Sequence, residues 1–488
     1  MSGTDRLQGA VPEMSAAAAA EQIPPDATVV TSGFGSVGYP KAVPLAIADS
    51  DRQRSLTVIT GGSVGEEIDT ELVQSEDMRR RFPYLGTQTA RDAANAGDLA
   101  FHDEHISQLA DGVRSGQFGS VDVALIEAVA TGRDWLIPGP CIGQTPGYVE
   151  AADQLIVEVN RAQPRGVRQL HDIYCPSLPP DRAPIPLENP TGRIGDEYVT
   201  FDPEKLAAVV ETDRRDSTYD FRDPTETDRT IAANLGSFLG AETERNPALA
   251  ESVRVQFGVG SLGNALASTL ADIDIGGRDL VYYGEVIQDG VLDLLDAGRL
   301  AGASATSLAL TQEGQDRFID SIDEYSDDIV LRPSSVSNGA ELIQRFGVVT
   351  INTALEVDLH GHVNSTHIDG THVINGVGGS GDFNRNALVT VAALPSSAKG
   401  GETSRVVPMV PHVDHTKHDI DVVVTEQGVA DLRGKEPRER ADELVSVAHP
   451  SFRAALREYI GRGRQYGGHA PRDLETALSW PRERQQSE

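Results

Sequence analysis

Residues 253–271 read VRVQFGVGSLGNALASTLA: an apolar run, a glycine loop of the form G-x-G-S-x-G at Gly258, Gly260, Ser261 and Gly263, then apolar residues at helical spacing. Residues 29–48, VVTSGFGSVGYPKAVPLAIA, repeat the plan with Gly33, Gly35, Ser36 and Gly38. A strand, a tight glycine turn and a helix follow from that order. Each stretch is followed by a further apolar run, LTVIT at 56–60 and DLVYYGE at 279–285. Strands alternating with helices predict mostly parallel sheets covered on both faces. The chain therefore reads as α/β, with two related open α/β domains at 1–225 and 226–488. Between them, roughly 165–230, proline and charge accumulate, as in CPSLPPDRAPIPLENPTG and TDRRDSTYDFRDPTETD, and part of this must be an exposed connection. Residues 15–20 predict a short helix, and PRERQQSE at 481–488 a polar tail.

A length of 488 residues exceeds one ordinary core. The 74 acidic residues outweigh the 42 basic ones, leaving a net charge of -32 spread along the chain. That excludes the basic face nucleic acid requires. Lys41, Lys205, Lys399, Lys417 and Lys435 are the only lysines. An acidic, lysine-poor surface suits a halophilic protein, whose counterions screen self-repulsion; a GC-rich codon bias gives the same composition. Cys141 and Cys175 are the only cysteines, too few for a disulfide framework or a cysteine zinc site, which fits a cytoplasmic protein. No apolar run reaches the length of a membrane span.

Chemistry concentrates in the second half. In DLVYYGEVIQDGVLDLLDAG, 279–298, residues 280–283 read as a buried strand, and Ile287, Val291, Leu294 and Leu295 recur at helical spacing. Glu285 is thus expected where a strand's carboxyl end hands over to a helix, the place open α/β sheets put their ligands. A carboxylate there is a candidate nucleophile; the bland alternative is an acid complementing a helix dipole. In HDIDVVVTEQGVADLRG, residues 422–424 predict a strand with Glu426 after its end and a short helix closing near Gly434. Two carboxylates at strand ends suggest one shared crevice.

Between them NGVGGSGDFNRNA, 375–387, carries Gly376, Gly378, Gly379 and Gly381, which lets backbone N–H groups approach a developing oxyanion. The apolar approach THVI and a helical reading of NALVTVAAL after it favour an ordered loop over a flexible one. Two rival readings remain open on the residues. G-x-G-x-x-G with Glu285 near the ribose-binding distance fits an NAD-dependent oxidoreductase, although the first-half copy lacks the acid after LTVIT. His412, Asp414, His415 and His418 in HVDHTKHD fit metal ligands, but an irregular stretch without H-E-x-x-H reads better as a hydrogen-bonded polar turn, and no metal is expected.

Four segments, GEVIQDGVLDLLDAG, INTALEVDLHGHVNSTH, NGVGGSGDFNRNA and HVDHTKHDIDVVVTEQGVADLRG, are very similar to the C-terminal half of acetyl-CoA hydrolase/transferase proteins. SGFGSVGYPKAVP, RRRFPY and SVDVALIEA are compatible with that family's N-terminal half. The resemblance implies the CoA-transferase fold and coenzyme A as co-substrate. It implies a nucleophile at Glu285, a CoA-contacting segment at Gly258, Val259, Gly260, Ser261 and Leu262, and oxyanion donors at the amides of Gly379 and Leu262. It places further active-site positions on Asn338 in SVSNGAEL, Asn375, Lys399 and Glu426. The implied partners are an acyl-CoA and a small carboxylate of the acetate, succinate or 4-hydroxybutyrate class, in a homodimer without membrane or nucleic acid. Acetyl-CoA hydrolysis needs only water in place of the acceptor acid, and these motifs do not separate the two outcomes.

Overall fold

The computed structural model describes residues 6–485. By contact the chain divides into two units, one of Met1–Asp220, Tyr282–Leu292 and Ala301–Leu342, the other of Phe221–Val281, Asp293–Leu300 and Ile343–Glu488.

The first unit is built on β1 (Thr28–Thr31), β2 (Leu56–Ile59), β3 (Met78–Phe82), β4 (Ala100–Phe101), β5 (Val123–Thr131), β6 (Gln154–Asn160) and β7 (Leu206–Thr212). They pair in the order β4-β3-β2-β1-β5-β6-β7, all parallel. β5, VALIEAVAT, is buried at every residue, which explains why it is apolar throughout instead of alternating. The strand order reverses between β1 and β5, so the loop leaving β1 stands at the topological switch point. That loop is the first glycine motif. It turns with positive φ at Gly33, Gly35, Ser36 and Gly38 before helix α1 (Ala42–Ala48), as the strand–loop–helix reading predicts. The segment 165–230, read as partly exposed connection, also supplies β7 at the sheet edge; its proline-rich 175–198 stretch contains no helix or strand and is mostly exposed.

The chain then enters the second unit with the 20-residue helix α2 (Glu226–Arg245), opened by a Thr225–Asp228 capping box. β8 (Ser252–Phe257) leads through the second glycine loop into α3 (Ser261–Asp272). β9 (Asp279–Tyr283) carries the chain across the boundary of the units, and β10 (Val286–Gln288) follows after a two-residue bend. The helix comes only with α4 (Asp289–Asp296), so Ile287 is a strand residue rather than part of the helical stripe. Its β-branched neighbourhood pairs in parallel with β12 (Ser307–Ala309), which follows β11 (Gly302–Ala305). β11 pairs in parallel with β13 (Ile329–Leu331), and the single turn α5 (Ser334–Ser337) closes this part of the first unit.

In the second unit β8 pairs with β14 (Val349–Thr353), β14 with β15 (Val389–Ala393), and β15 with β16 (Val422–Thr425), all parallel. Two expectations change here. NALVTVAAL contains β15, not a helix: Val389–Ala393 is buried on every residue, and periodicity cannot tell such a run from a buried helix. The helix of this region is instead α6 (Ser380–Asn386), formed by the glycine-loop sequence itself. After Glu426 the chain makes a hairpin into antiparallel β17 (Gly428–Asp431), because Gly428 supplies φ +138° at the turn. At the C-terminus a helix, Leu474–Gln485, runs into the stretch read as a polar tail, whose last three residues lie outside the described ones.

Candidate active site

Glu285 occupies the bend between β9 and β10, half-buried, and its backbone is held on both sides. Gly284 N–H donates to Ser304 O at 2.9 Å, and Glu285 O accepts from Thr306 N–H at 2.9 Å. Two fully buried tyrosines brace the bend from opposite directions. Tyr282 hydroxyl donates to Val286 O at 2.7 Å, bridging the bend, and its ring passes over Gly284, where an added Cβ would lie 2.5 Å from Cζ. Tyr283 hydroxyl donates to Val336 O in α5 at 2.8 Å. The same turn presents Asn338, 0% exposed, whose Nδ2 donates to Glu285 Oε1 at 2.7 Å. The structure thus brings together Glu285 and Asn338. Since the helix starts at Asp289, Glu285 does not serve as a helix-dipole acid.

The first glycine loop packs beside this bend. Ser307 Oγ donates to Phe34 O at 2.6 Å, and a Cβ on Gly35 would stand 3.0 Å from Leu308 O and 3.5 Å from Val286 Cγ1. With φ +65° as well, any side chain at Gly35 would be strained. Thr306 ties in the 141–143 loop, accepting from Gly143 N–H on Oγ1 at 3.0 Å and from Ile142 N–H on its carbonyl at 3.0 Å.

Beneath the loop lies an ion cluster that the sequence reading did not single out. Lys41 Nζ reaches Glu127 Oε2 at 2.6 Å and Asp216 Oδ1 at 2.7 Å, and all three are buried. Burial alone would strip the lysine of its proton, but Asp216 and Glu127 outweigh it and hold its pKa above the ordinary value. Glu127 and Glu158 interrupt the apolar runs of β5 and β6. A charge inside a strand that is otherwise wholly buried is the signal that could have found the cluster.

In the second unit Gly258 to Leu262 follow β8 and Glu426 follows β16, each at the carboxyl end of a strand of the parallel sheet. Gly258 N–H donates to Ile351 O at 3.0 Å, Gly260 turns with φ +138°, and Val259 and Ser261 complete the loop into α3. Leu262 is the second residue of that helix, so its N–H has no acceptor within the helix itself. Gln256 and Asn352 exchange amide hydrogen bonds at 3.1 and 3.2 Å, and Asn352 Nδ2 donates to Asn384 Oδ1 of α6 at 2.8 Å. This buried amide cluster, also missed in sequence, locks the end of β8 to the helix that Gly379 caps. Asn375 is half-buried, with Oδ1 buried and unpartnered among the described residues.

Glu426 sits in the hairpin turn, accepting from Ser396 N–H at 2.8 Å, from the Ser396 hydroxyl and from Gln427 Nε2 at 3.1 Å. Burial pushes its carboxyl up, but these donors outweigh burial and hold it below the usual carboxylate range. Lys399 is exposed on a turn of three positive-φ residues, Lys399 to Gly401. The HVDHTKHD stretch is a hydrogen-bonded turn: Asp414 accepts from Ser365 and Thr366 backbone N–H groups and from His412, and His415 meets Ser380 at 3.2 Å.

Residues 10–211 and 314–460 match the N-terminal and C-terminal domains of the acetyl-CoA hydrolase/transferase family. The chain belongs to that family and is an enzyme of the CoA-transferase and acetyl-CoA hydrolase class. It is 42% identical over 474 residues to a succinyl-CoA:acetate CoA-transferase of Clostridium kluyveri, covering 96% of this chain and 88% of the relative. It is 38% identical over 457 residues to an acetyl-CoA hydrolase of Yarrowia lipolytica, covering 89% and 86%. The solved structure of a 4-hydroxybutyrate CoA-transferase from Porphyromonas gingivalis superposes with a TM-score of 0.63 at 22% identity, over 92% of this chain and 97% of that one. The likeness bears out the α/β fold with mostly parallel sheets.

Proposed function

We propose that the enzyme transfers CoA from an acyl-CoA to a small carboxylate of the acetate, succinate or 4-hydroxybutyrate class through a thioester on Glu285. The observation that carries this is the 2.7 Å hydrogen bond from Asn338 Nδ2 to Glu285 Oε1 on a bend braced by two buried tyrosines, which presents one carboxylate in a fixed pose. Glu285 attacks the acyl-CoA carbonyl and expels CoA thiolate, giving an acyl-glutamyl anhydride. The thiolate then attacks the glutamyl carbon and releases the first carboxylate, leaving the glutamyl-CoA thioester. The acceptor carboxylate reverses both steps and leaves as the new acyl-CoA.

In this reading Gly258 to Leu262 contact CoA, and the amides of Leu262 and Gly379 receive the oxyanions, donors worth several kcal/mol in a dry site. Asn375, Glu426 and Lys399 complete the set, Lys399 toward the CoA phosphates. The reading extends to a homodimer in the cytoplasm, to an acidic surface adapted to salt, and to a domain division near residue 225. Relatives of both names support hydrolysis as the second outcome, with water replacing the acceptor.

The test is mass measurement after incubation with acetyl-CoA. A CoA-sized adduct that disappears in Glu285→Ala is expected, and full turnover by Glu285→Gln would overturn the reading. Added acetate suppresses net hydrolysis if transfer is the main activity.

A further inference from the structure

Asn338 faces Glu285 with one end of its amide and Ser337 with the other. Ser337 Oγ, fully buried, donates to Asn338 Oδ1 at 2.8 Å, while Nδ2 donates to Glu285 Oε1 at 2.7 Å. An amide has two chemically opposite ends, and an ionised carboxylate only accepts. Were Asn338 turned over, its oxygen would confront Glu285 Oε1, and the bend would favour a protonated, non-nucleophilic glutamate. The acceptor-only carboxylate sets the sense of the amide, and the Ser337 hydroxyl, donating to Oδ1, pins it there.

We propose that Ser337 is a positioning residue that pins the Asn338 amide with Nδ2 toward Glu285 and thereby keeps that carboxylate ionised and aimed. This rests on Glu285 being the nucleophile and goes beyond it by assigning a residue outside the family motif positions named above. The support of the serine is itself rigid: Ser337 N–H donates to Pro333 O at 3.0 Å, Asn338 N–H to Ser334 O at 2.9 Å, and Tyr283 holds Val336 O. Other titratable groups on the elements packed here have their own engagements. Tyr282 and Tyr283 hydroxyls donate to backbone, Arg332 pairs with Asp172, Asp289 accepts from Thr311, and burial pushes the Cys141 thiol up to about 12.

The experiment compares Ser337→Ala, Ser337→Thr and Ser337→Cys in the full chain. It follows the rate of adduct formation with acetyl-CoA and the acidic limb of kcat/KM against pH, with Glu285→Gln as the parallel control. Loss of the neutral hydrogen bond from Ser337 to Asn338 corresponds to about fivefold slower adduct formation in Ser337→Ala. The acidic limb should move upward by roughly half to one pH unit. Ser337→Thr, which keeps the hydroxyl, should restore both. A merely structural serine would change yield or melting temperature without moving the limb. Should the alanine variant melt early, the near-isosteric Ser337→Cys, a weak donor, answers the same question. A folded Ser337→Ala or Ser337→Cys with wild-type rate and limb overturns the inference. An adduct surviving in Glu285→Gln instead overturns the nucleophile assignment beneath it.

Discussion

Lys41 Nζ lies 2.7 Å from Asp216 Oδ1, joining the helix start after the first glycine loop to a segment far along the chain. Asp216 also accepts from Gly38 N–H of that loop at 3.1 Å, so one ion pair fixes both the loop and the 213–220 segment. Removing the lysine leaves Glu127 and Asp216 buried and uncompensated. Lys41→Met is expected to cost about 3–5 kcal/mol, read from urea midpoints, as for other broken buried pairs. A loss under 1 kcal/mol would mean that water reaches the carboxylates.

Gly284 is required by the Tyr282 ring, not by a positive φ. A Cβ there would stand 2.5 Å from both Cζ and the hydroxyl oxygen. Gly284→Ala should displace the ring or the bend, at about 1–3 kcal/mol by thermal melting. Adduct formation on Glu285 should slow in step, and wild-type adduct kinetics would show that the bend is set elsewhere.

Tyr283→Phe removes only the hydroxyl that holds Val336 O, 2.8 Å away. The expected loss is about 1 kcal/mol, or roughly fivefold in kcat, with KM for acyl-CoA little changed. A change confined to KM would place Tyr283 in substrate binding instead of nucleophile support.

Asp228 gives a pH signature in the second unit. Burial raises its carboxyl, but the Arg222 guanidinium and the hydroxyl and N–H of Thr225 outweigh burial and hold it down to about 2. A depressed folded value means the contribution is fully present above the unfolded carboxylate value, about 3.9, and fades as pH falls toward 2. Asp228→Asn should therefore cost about 1 kcal/mol at pH 7. Its deficit against wild type should shrink between about pH 4 and pH 2 in urea titrations. A deficit constant over that range would assign it to packing.

The glycine motifs were legible because they are local: a strand, a turn with positive-φ glycine and a helix are written in consecutive residues, and both copies fold that way. Glu285 and Asn338 were legible through the family motifs around them, and their meeting at 2.7 Å depended on Tyr283 and α5. The helix read after Glu285 forms, but only from Asp289, with Ile287 taken into a short strand. Across 386–394 a strand replaces the helix because apolar residues buried on every side carry no period that separates the two. After Glu426 the turn at Gly428 and antiparallel pairing to β16 make a strand where a helix was read.

By itself the amino-acid sequence determined the alternation of strands and helices, the glycine turns, the acidic charge and the family. Only the tertiary structure decided which polar groups face one another: Lys41 with Glu127 and Asp216, Gln256 with Asn352 and Asn384, Ser337 with the far side of the amide that holds Glu285. Such partners, apart from Ser337, are distant in sequence. A buried polar group must find a mate wherever the packing puts one, and no local pattern encodes that.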